Sequence, residues 1–252
     1  MSKPHGTKEF WLAALRADGA AFRAAVADVD PGAPVPPCPD WTVLDLVHHL
    51  GNVYGFVLNH VTRGVTDRPE RPAPQTPPAG EAVAWWESRF GELLTTLDGL
   101  DPDFPAWNWA PQPKKAIFWP RRMAQETAVH RWDAQTSHGL SEPIETKLAV
   151  DGITEVLDTW LAAGRRKGST EGVRGVVALH ASDIAEVWYV RLRGEGLALL
   201  DTDTVLDNDP THERAQATGS ASDLLLALWG RVPYDVLETA GDMRLLEALR
   251  TG

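Results

Sequence analysis

The spacing of apolar residues changes partway along the chain, and this change constrains the fold more than any other feature. Up to about residue 165, apolar residues recur every three or four positions, as in amphipathic helices, between proline-rich breaks. After the break "GRRKGSTEG" they form short β-rich runs instead. We therefore predict a helical N-terminal domain over residues 1–168 and a small α+β domain over residues 169–252.

The N-terminal half contains four helical segments, and the second has a clear start signal. Thr42, with Asp45 three residues later, resembles a capping box in which Asp replaces the usual Glu. Four long helices with such connections predict a four-helix bundle, in which facing helices can supply inward ligands to a metal. The predicted helices run from Thr7 to about Val29, from Thr42 to about Gly64, over residues 81–100, and over residues 121–139 with Pro120 in the first turn. A further helix is expected from about Thr146 to Arg165, beside the bundle or leading out of it.

The sequence of the C-terminal half predicts several strands followed by two short helices. The strand candidates are "VRGVVALHAS", "AEVWYVRLR", "LALLDTD" and "ERAQATGS", with Gly194 and Gly196 at a hairpin turn. The segments "SASDLLLALWGR" and "GDMRLLEALR" then predict two helices, opened by a Ser and an Asp cap.

Charge and composition exclude several classes of partner. The chain has 252 residues and a formal net charge of -11, which argues against nucleic-acid binding because that relies on clustered Lys and Arg. No run of about 18 apolar residues is present to cross a bilayer, and the only cysteine, Cys38, has no partner for an internal disulfide. We expect a cytoplasmic protein with no membrane partner, and Cys38 as a small buried side chain rather than a nucleophile. The oligomeric state is not set by these features.

The second predicted helix has a histidine within its apolar stripe. Leu46, Leu50, Val53 and Val57 lie on one face, and His49 falls between the first and third of them at helical spacing. His48 is rotated by about 100° from this face. His49 is therefore the histidine expected to face the bundle core.

The fourth predicted helix has a line of polar residues on one face. Glu126 and His130 are four positions apart, close enough for one oxygen and one nitrogen to reach the same ion. Asp133, one turn further, would either bind the metal directly or accept a hydrogen bond from the ring nitrogen of His130 that does not bind metal. The other residues of the line are Trp119, Met123 and Ser137.

His49, Glu126 and His130 together make a set of two histidines and one carboxylate. Three protein ligands leave one tetrahedral position of zinc free, as in catalytic sites. Iron, nickel or manganese would suit the same residues. Two alternatives remain at this point: Glu126 and His130 as a solvated surface pair, and His49 as a hydrogen-bonded core histidine.

Three motifs resemble one known family. "CPDWTVLDLVHHLG", "QETAVHRWDAQTSHG" and "ASDLLLALWGR...GDMRLLEALR" are similar to the actinobacterial mycothiol-dependent maleylpyruvate isomerase family, within the DinB-like metal-binding bundles. The resemblance implies a divalent metal, usually zinc, held by His49, Glu126 and His130. It also implies an active-site arginine in the C-terminal domain, for which Arg231 is the matching position, with three alternatives at Arg174, Arg191 and Arg193.

The resemblance also implies an activity and a cofactor. A mycothiol thiolate on the metal would add to the cis double bond of a maleylpyruvate-like acid, allow rotation, and leave as the trans product forms. An arginine would bind a substrate carboxylate. The same chemistry suits a mycothiol S-transferase acting on electrophiles, and a non-catalytic metal-binding or stress-response protein is a third reading. The expected partners are a small thiol and a small electrophilic or anionic substrate.

Overall fold

The computed structural model of the protein describes residues 6–166, 172–194, 196–200 and 214–252. Contacts divide the described chain into two units, a helical unit over Gly6–Ile144 and a C-terminal unit over Glu145–Gly252. The division between the units lies before the helix that begins at Thr146, whereas the boundary predicted from the sequence lies at residue 168, after that helix.

Four long helices form the helical unit, as predicted. Helix α1 neighbours α4 and α3, and α2 neighbours α3 and α4, so the four close into a bundle. The core between them contains large, fully buried side chains that include Phe22, Tyr54 and Trp86. The four helices are α1 (Lys8–Ala27), α2 (Val43–Val61), α3 (Ala79–Gly99) and α4 (Phe118–Thr136).

The start of α2 is fixed by its cap and by the loop before it. The Thr42 hydroxyl accepts from the Asp45 amide at 3.2 Å, and the Asp45 carboxylate accepts from the Thr42 amide at 2.9 Å, which confirms the predicted capping box. The loop before it folds back on itself, because the amide of Val35 donates to the carbonyl of Trp41 at 2.9 Å. This loop places the indole of Trp41 beside the first turns of α2.

The C-terminal unit begins with helix α5 (Thr146–Glu155), which continues as a π-helical stretch over Val156–Leu161. Helix α5 packs against α6 (Ala221–Leu228), and its Thr154 hydroxyl accepts from the Trp188 indole at 3.0 Å. These contacts explain why α5 groups with the C-terminal unit. A helical period predicts that α5 exists, but it does not predict which neighbour buries its apolar face.

A five-stranded sheet follows, with strand order β3-β2-β1-β4-β5. Strands β1 and β4 pair in parallel, and the other neighbours pair antiparallel. The strands are β1 (Arg174–Ala181), β2 (Glu186–Arg193), β3 (Leu197–Leu200), β4 (Arg214–Gly219) and β5 (Glu238–Gly241). Helix α6 precedes a short 3₁₀ turn over Tyr234–Val236, and α7 (Met243–Glu247) follows β5.

The predicted fold class, a four-helix bundle followed by a small α+β domain, is confirmed. Ser220 and Asp242 cap α6 and α7 as expected. Strand β5 was not predicted, and positions 201–203 and 213 of the predicted strands lie outside the described residues. In the described part of the chain, no helix combines the length and the apolar character that crossing a membrane requires.

Candidate metal centre

Helices α2 and α4 bring three predicted residues together. The Nε2 atom of His49 lies 3.2 Å from Oε1 of Glu126, and Nε2 of His130 lies 3.5 Å from the same oxygen. One ligand atom from each of the three residues lies within 4.8 Å of the others. His49, Glu126 and His130, called the triad below, therefore form a compact cluster of two imidazoles and one carboxylate.

The two neighbouring histidines of α2 have different partners. His49 faces the triad, whereas Nε2 of His48 contacts the carbonyl oxygen of Pro77 at 2.8 Å. The helical spacing predicts that the two side chains point in different directions, as observed. The side chain of His49 is 35% exposed and that of His130 only 7%. Solvent and small molecules can therefore approach the triad from the side of His49.

Glu126 has a different partner for each carboxylate oxygen. Its Oε1 faces the two histidines, while its Oε2 accepts from Nη2 of Arg122 at 2.9 Å. Burial of the carboxylate raises its pKa, but hydrogen bonds from His130 and His49 and the charge of Arg122 outweigh this effect. The pKa of Glu126 therefore lies well below its usual value, and the carboxylate is ionised near neutral pH.

Asp133 orients the ring of His130. The Nδ1 atom of His130 donates to Oδ2 of Asp133 at 2.8 Å, and Asp133 is completely buried. Burial lowers the pKa of His130, but the hydrogen bonds and charges of Asp133 and Glu126 raise it more, so the net shift is upward. Nε2 of the same ring faces Glu126, and it can offer a lone pair to a metal once it releases the hydrogen that it donates to Glu126.

The loop before α2 adds two side chains. The indole of Trp41 packs against both histidine rings of the triad, at centroid distances of 4.9 Å to His49 and 6.3 Å to His130. The thiol of Cys38 lies 3.5 Å from Oδ2 of Asp133, and Cys38 is buried as predicted. Trp41 and Cys38 therefore restrict how far the histidine rings and Asp133 can move.

The donor set of the triad fits a divalent metal. It provides an ionised carboxylate oxygen and the Nε2 atom of each imidazole, and the ring of His130 is held with its Nε2 atom toward the other donors. Zinc in catalytic sites is bound by such sets, with three protein ligands and one position left for water or substrate. The other transition metals that prefer nitrogen and oxygen donors suit the same set, so the donors do not select one metal.

Arg231 lies in the C-terminal unit, at the end of α6. Gly230 has φ +68, and the amide of Arg231 donates to the carbonyl of Leu226 at 2.8 Å, an arrangement typical of a helix terminus. One guanidinium nitrogen, Nη1, donates to the carbonyl of Trp229 at 3.1 Å. The predicted role of Arg231 at an active site stays a prediction. Among the alternatives, Arg191 on β2 is half-buried, and among the described residues its Nε has no hydrogen-bond partner.

The sequence did not predict the contacts that three residues near the triad make, namely Arg122, Trp41 and Cys38. Arg122 had a signal, because it precedes Glu126 by four positions on the same helix face. Trp41 and Cys38 belong to a loop, where no periodicity indicates the direction of a side chain.

The fold and the triad define a class of protein: a four-helix bundle with two histidines and a carboxylate on adjacent helices, followed by a small α+β unit. Residues 12–135 match the family model described as the mycothiol maleylpyruvate isomerase N-terminal domain, and residues 147–248 match the C-terminal domain of the same family. The chain therefore belongs to the mycothiol maleylpyruvate isomerase family, a family of enzymes.

Solved structures show the same fold. Similar structures include the mycothiol-dependent maleylpyruvate isomerase, with a TM-score of 0.60 and 14% sequence identity, and a variant of it in which a histidine is replaced by alanine, with a TM-score of 0.59 and 14% identity. Each comparison covers 95% of this chain and 96% of the other. A search of curated proteins found no match.

Proposed function

We propose that this protein is a divalent-metal, mycothiol-dependent enzyme that isomerises maleylpyruvate-like cis acids to their trans forms. The observation that carries the proposal is the convergence of His49, Glu126 and His130 within 4.8 Å of one another. The matches to both domains of the isomerase family support the choice of thiol and of substrate class.

In this proposal the triad holds the metal, with Asp133 orienting His130 and Trp41 packing against both histidine rings. A bound divalent metal would lower the pKa of a thiol and so supply a thiolate at neutral pH, the nucleophile that reversible addition to a double bond requires. The 35% exposure of His49 leaves a side of the triad accessible to a thiol and a small substrate. Cys38 is buried against Asp133, so the sulfur in this scheme comes from the cofactor.

The substrate class requires a cation from the protein. Maleylpyruvate-like acids are anionic, and the chain has a net charge of -11, so attraction must come from a local side chain. We propose Arg231 for this role, following the family resemblance, with two hydrogen bonds to a substrate carboxylate. The alternatives are Arg174, Arg191 and Arg193, and replacing each of the four arginines separately by Lys distinguishes them. The variant that lacks the carboxylate-binding arginine should have a raised KM for the acid, whereas the other three should not.

The experiment is a coupled assay on the purified protein with zinc. We expect conversion of maleylpyruvate to fumarylpyruvate when mycothiol is present, and loss of conversion when either mycothiol or metal is removed. A parallel assay with mycothiol and a bimane electrophile tests S-transfer. Turnover of the bimane alone would make the protein an S-transferase, and turnover of neither substrate would favour the non-catalytic reading.

A further inference from the structure

Arg122 and Glu126 form a buried ion pair at the edge of the triad. Only 2% of Arg122 is exposed, and its Nη2 atom lies 2.9 Å from Oε2 of Glu126, one helical turn away on α4. The other carboxylate oxygen, Oε1, is the one that faces His49 and His130. The two oxygens of Glu126 are thus divided between the guanidinium and the histidines.

We propose that Arg122 is a positioning residue that limits Glu126 to one oxygen at the metal and so keeps a coordination position available for the thiol. This inference rests on the proposed function. A carboxylate with both oxygens available can bind one metal ion through either oxygen or through both. Binding through both would occupy the position that the thiol needs.

The strength of the ion pair favours keeping Oε2 of Glu126 on Arg122 and only Oε1 toward the histidines. A hydrogen bond between a guanidinium and a carboxylate is charge-assisted and about twice as strong as a neutral one. Here the pair is buried, where solvent screens it little. Arg122 also offsets the negative charge of Glu126, so that more of the positive charge of a bound metal remains to stabilise a thiolate.

The same helix provides a matched control in Arg131. Only 3% of Arg131 is exposed, and its Nε lies 2.9 Å from Oδ1 of Asp18, a carboxylate outside the triad. Replacing Arg122 and Arg131 in turn by Gln therefore removes a buried, carboxylate-paired arginine from α4 in both cases. Only the first replacement frees an oxygen of a proposed metal ligand.

The experiment uses Co²⁺ in place of zinc, because its visible absorption reports coordination number and its near-ultraviolet absorption reports thiolate binding. We expect Arg122→Gln to bind Co²⁺ with weaker visible bands, typical of a higher coordination number. Its affinity for mycothiol should fall by about tenfold, the lower end of effects seen for residues that orient metal ligands. Arg131→Gln should match the wild-type protein in both spectra, even if its melting temperature falls.

A second variant keeps the proposal testable if Arg122→Gln does not fold. Arg122→Lys retains a cation and a single donor group, and it should give a thiol affinity between those of the wild-type protein and a protein with no cation here. A variant with the wild-type Co²⁺ spectrum and unchanged thiol affinity would overturn the role of Arg122. Failure of the wild-type protein itself to bind Co²⁺ would instead overturn the proposed function on which this role rests.

Discussion

Replacing Asp133 by Asn tests whether the buried carboxylate prepares His130 to bind metal. The substitution keeps the shape of the side chain and one acceptor oxygen but removes the charge that faces Nδ1 of His130 at 2.8 Å. Hydrogen bonds that involve a charged group contribute about 1.5 to 3 kcal/mol, and neutral ones about 1 kcal/mol. The loss should therefore be about 0.5 to 2 kcal/mol, which corresponds to a metal affinity about two- to thirtyfold weaker.

The assay is a competition titration of zinc between the protein and a chromophoric chelator at constant pH. The matched control is Asp18→Asn, which also removes a carboxylate paired with a side chain of α4, but the partner there is Arg131, outside the triad. We expect wild-type zinc affinity in the control. The reasoning is refuted if Asp133→Asn binds zinc as tightly as the wild-type protein, or if the control loses as much affinity.

Three further predictions concern stability. Burial lowers the pKa of His60, so the unfolded chain takes up a proton below about pH 6.5 that the folded protein does not, and stability should fall as the pH falls, by up to about 1.4 kcal/mol per unit. The unfolding free energy of the wild-type protein minus that of His60→Phe should therefore decrease from pH 7.5 to 5.5, and a constant value would contradict the lowered pKa of His60. Gly241→Ala should destabilise by more than about 2 kcal/mol in denaturant melts, because φ is +86 and an added Cβ would lie 2.0 Å from the Arg214 carbonyl oxygen. Gly139→Ala, at φ +72 in open space, should cost only about 1 kcal/mol, and equal losses would refute the steric argument. Thr42→Ala should cost about 1 kcal/mol by removing the cap of α2, and an unchanged melting temperature would count against the capping box.

Helical periodicity accounts for most of what could be predicted about the triad. Each helix places residues three and four apart on one face, so Glu126 and His130 could be assigned to one line and His49 could be separated from His48. Periodicity does not reveal which two faces meet. That α2 and α4 are neighbours follows from the packing of the whole bundle.

Other features depend on contacts that have no periodic signal. The ring of Trp41 reaches both histidines because the loop before α2 turns back on itself, a path set by backbone hydrogen bonds rather than by residue type. Strand β5 consists of Glu238, Thr239, Ala240 and Gly241, a composition with weak β preference. It forms by pairing with β4. Such elements are selected by tertiary pairing, which local sequence does not encode.

The metal content of the purified protein and three variants tests the central claim most directly. After loading with zinc and removal of the excess, we expect about one zinc per wild-type chain and per His48→Ala chain, because His48 contacts Pro77 rather than the triad. His49→Ala and His130→Ala should each lose most of the zinc. Zinc retained at the wild-type level in both of these variants would contradict the assignment of the triad as the metal site.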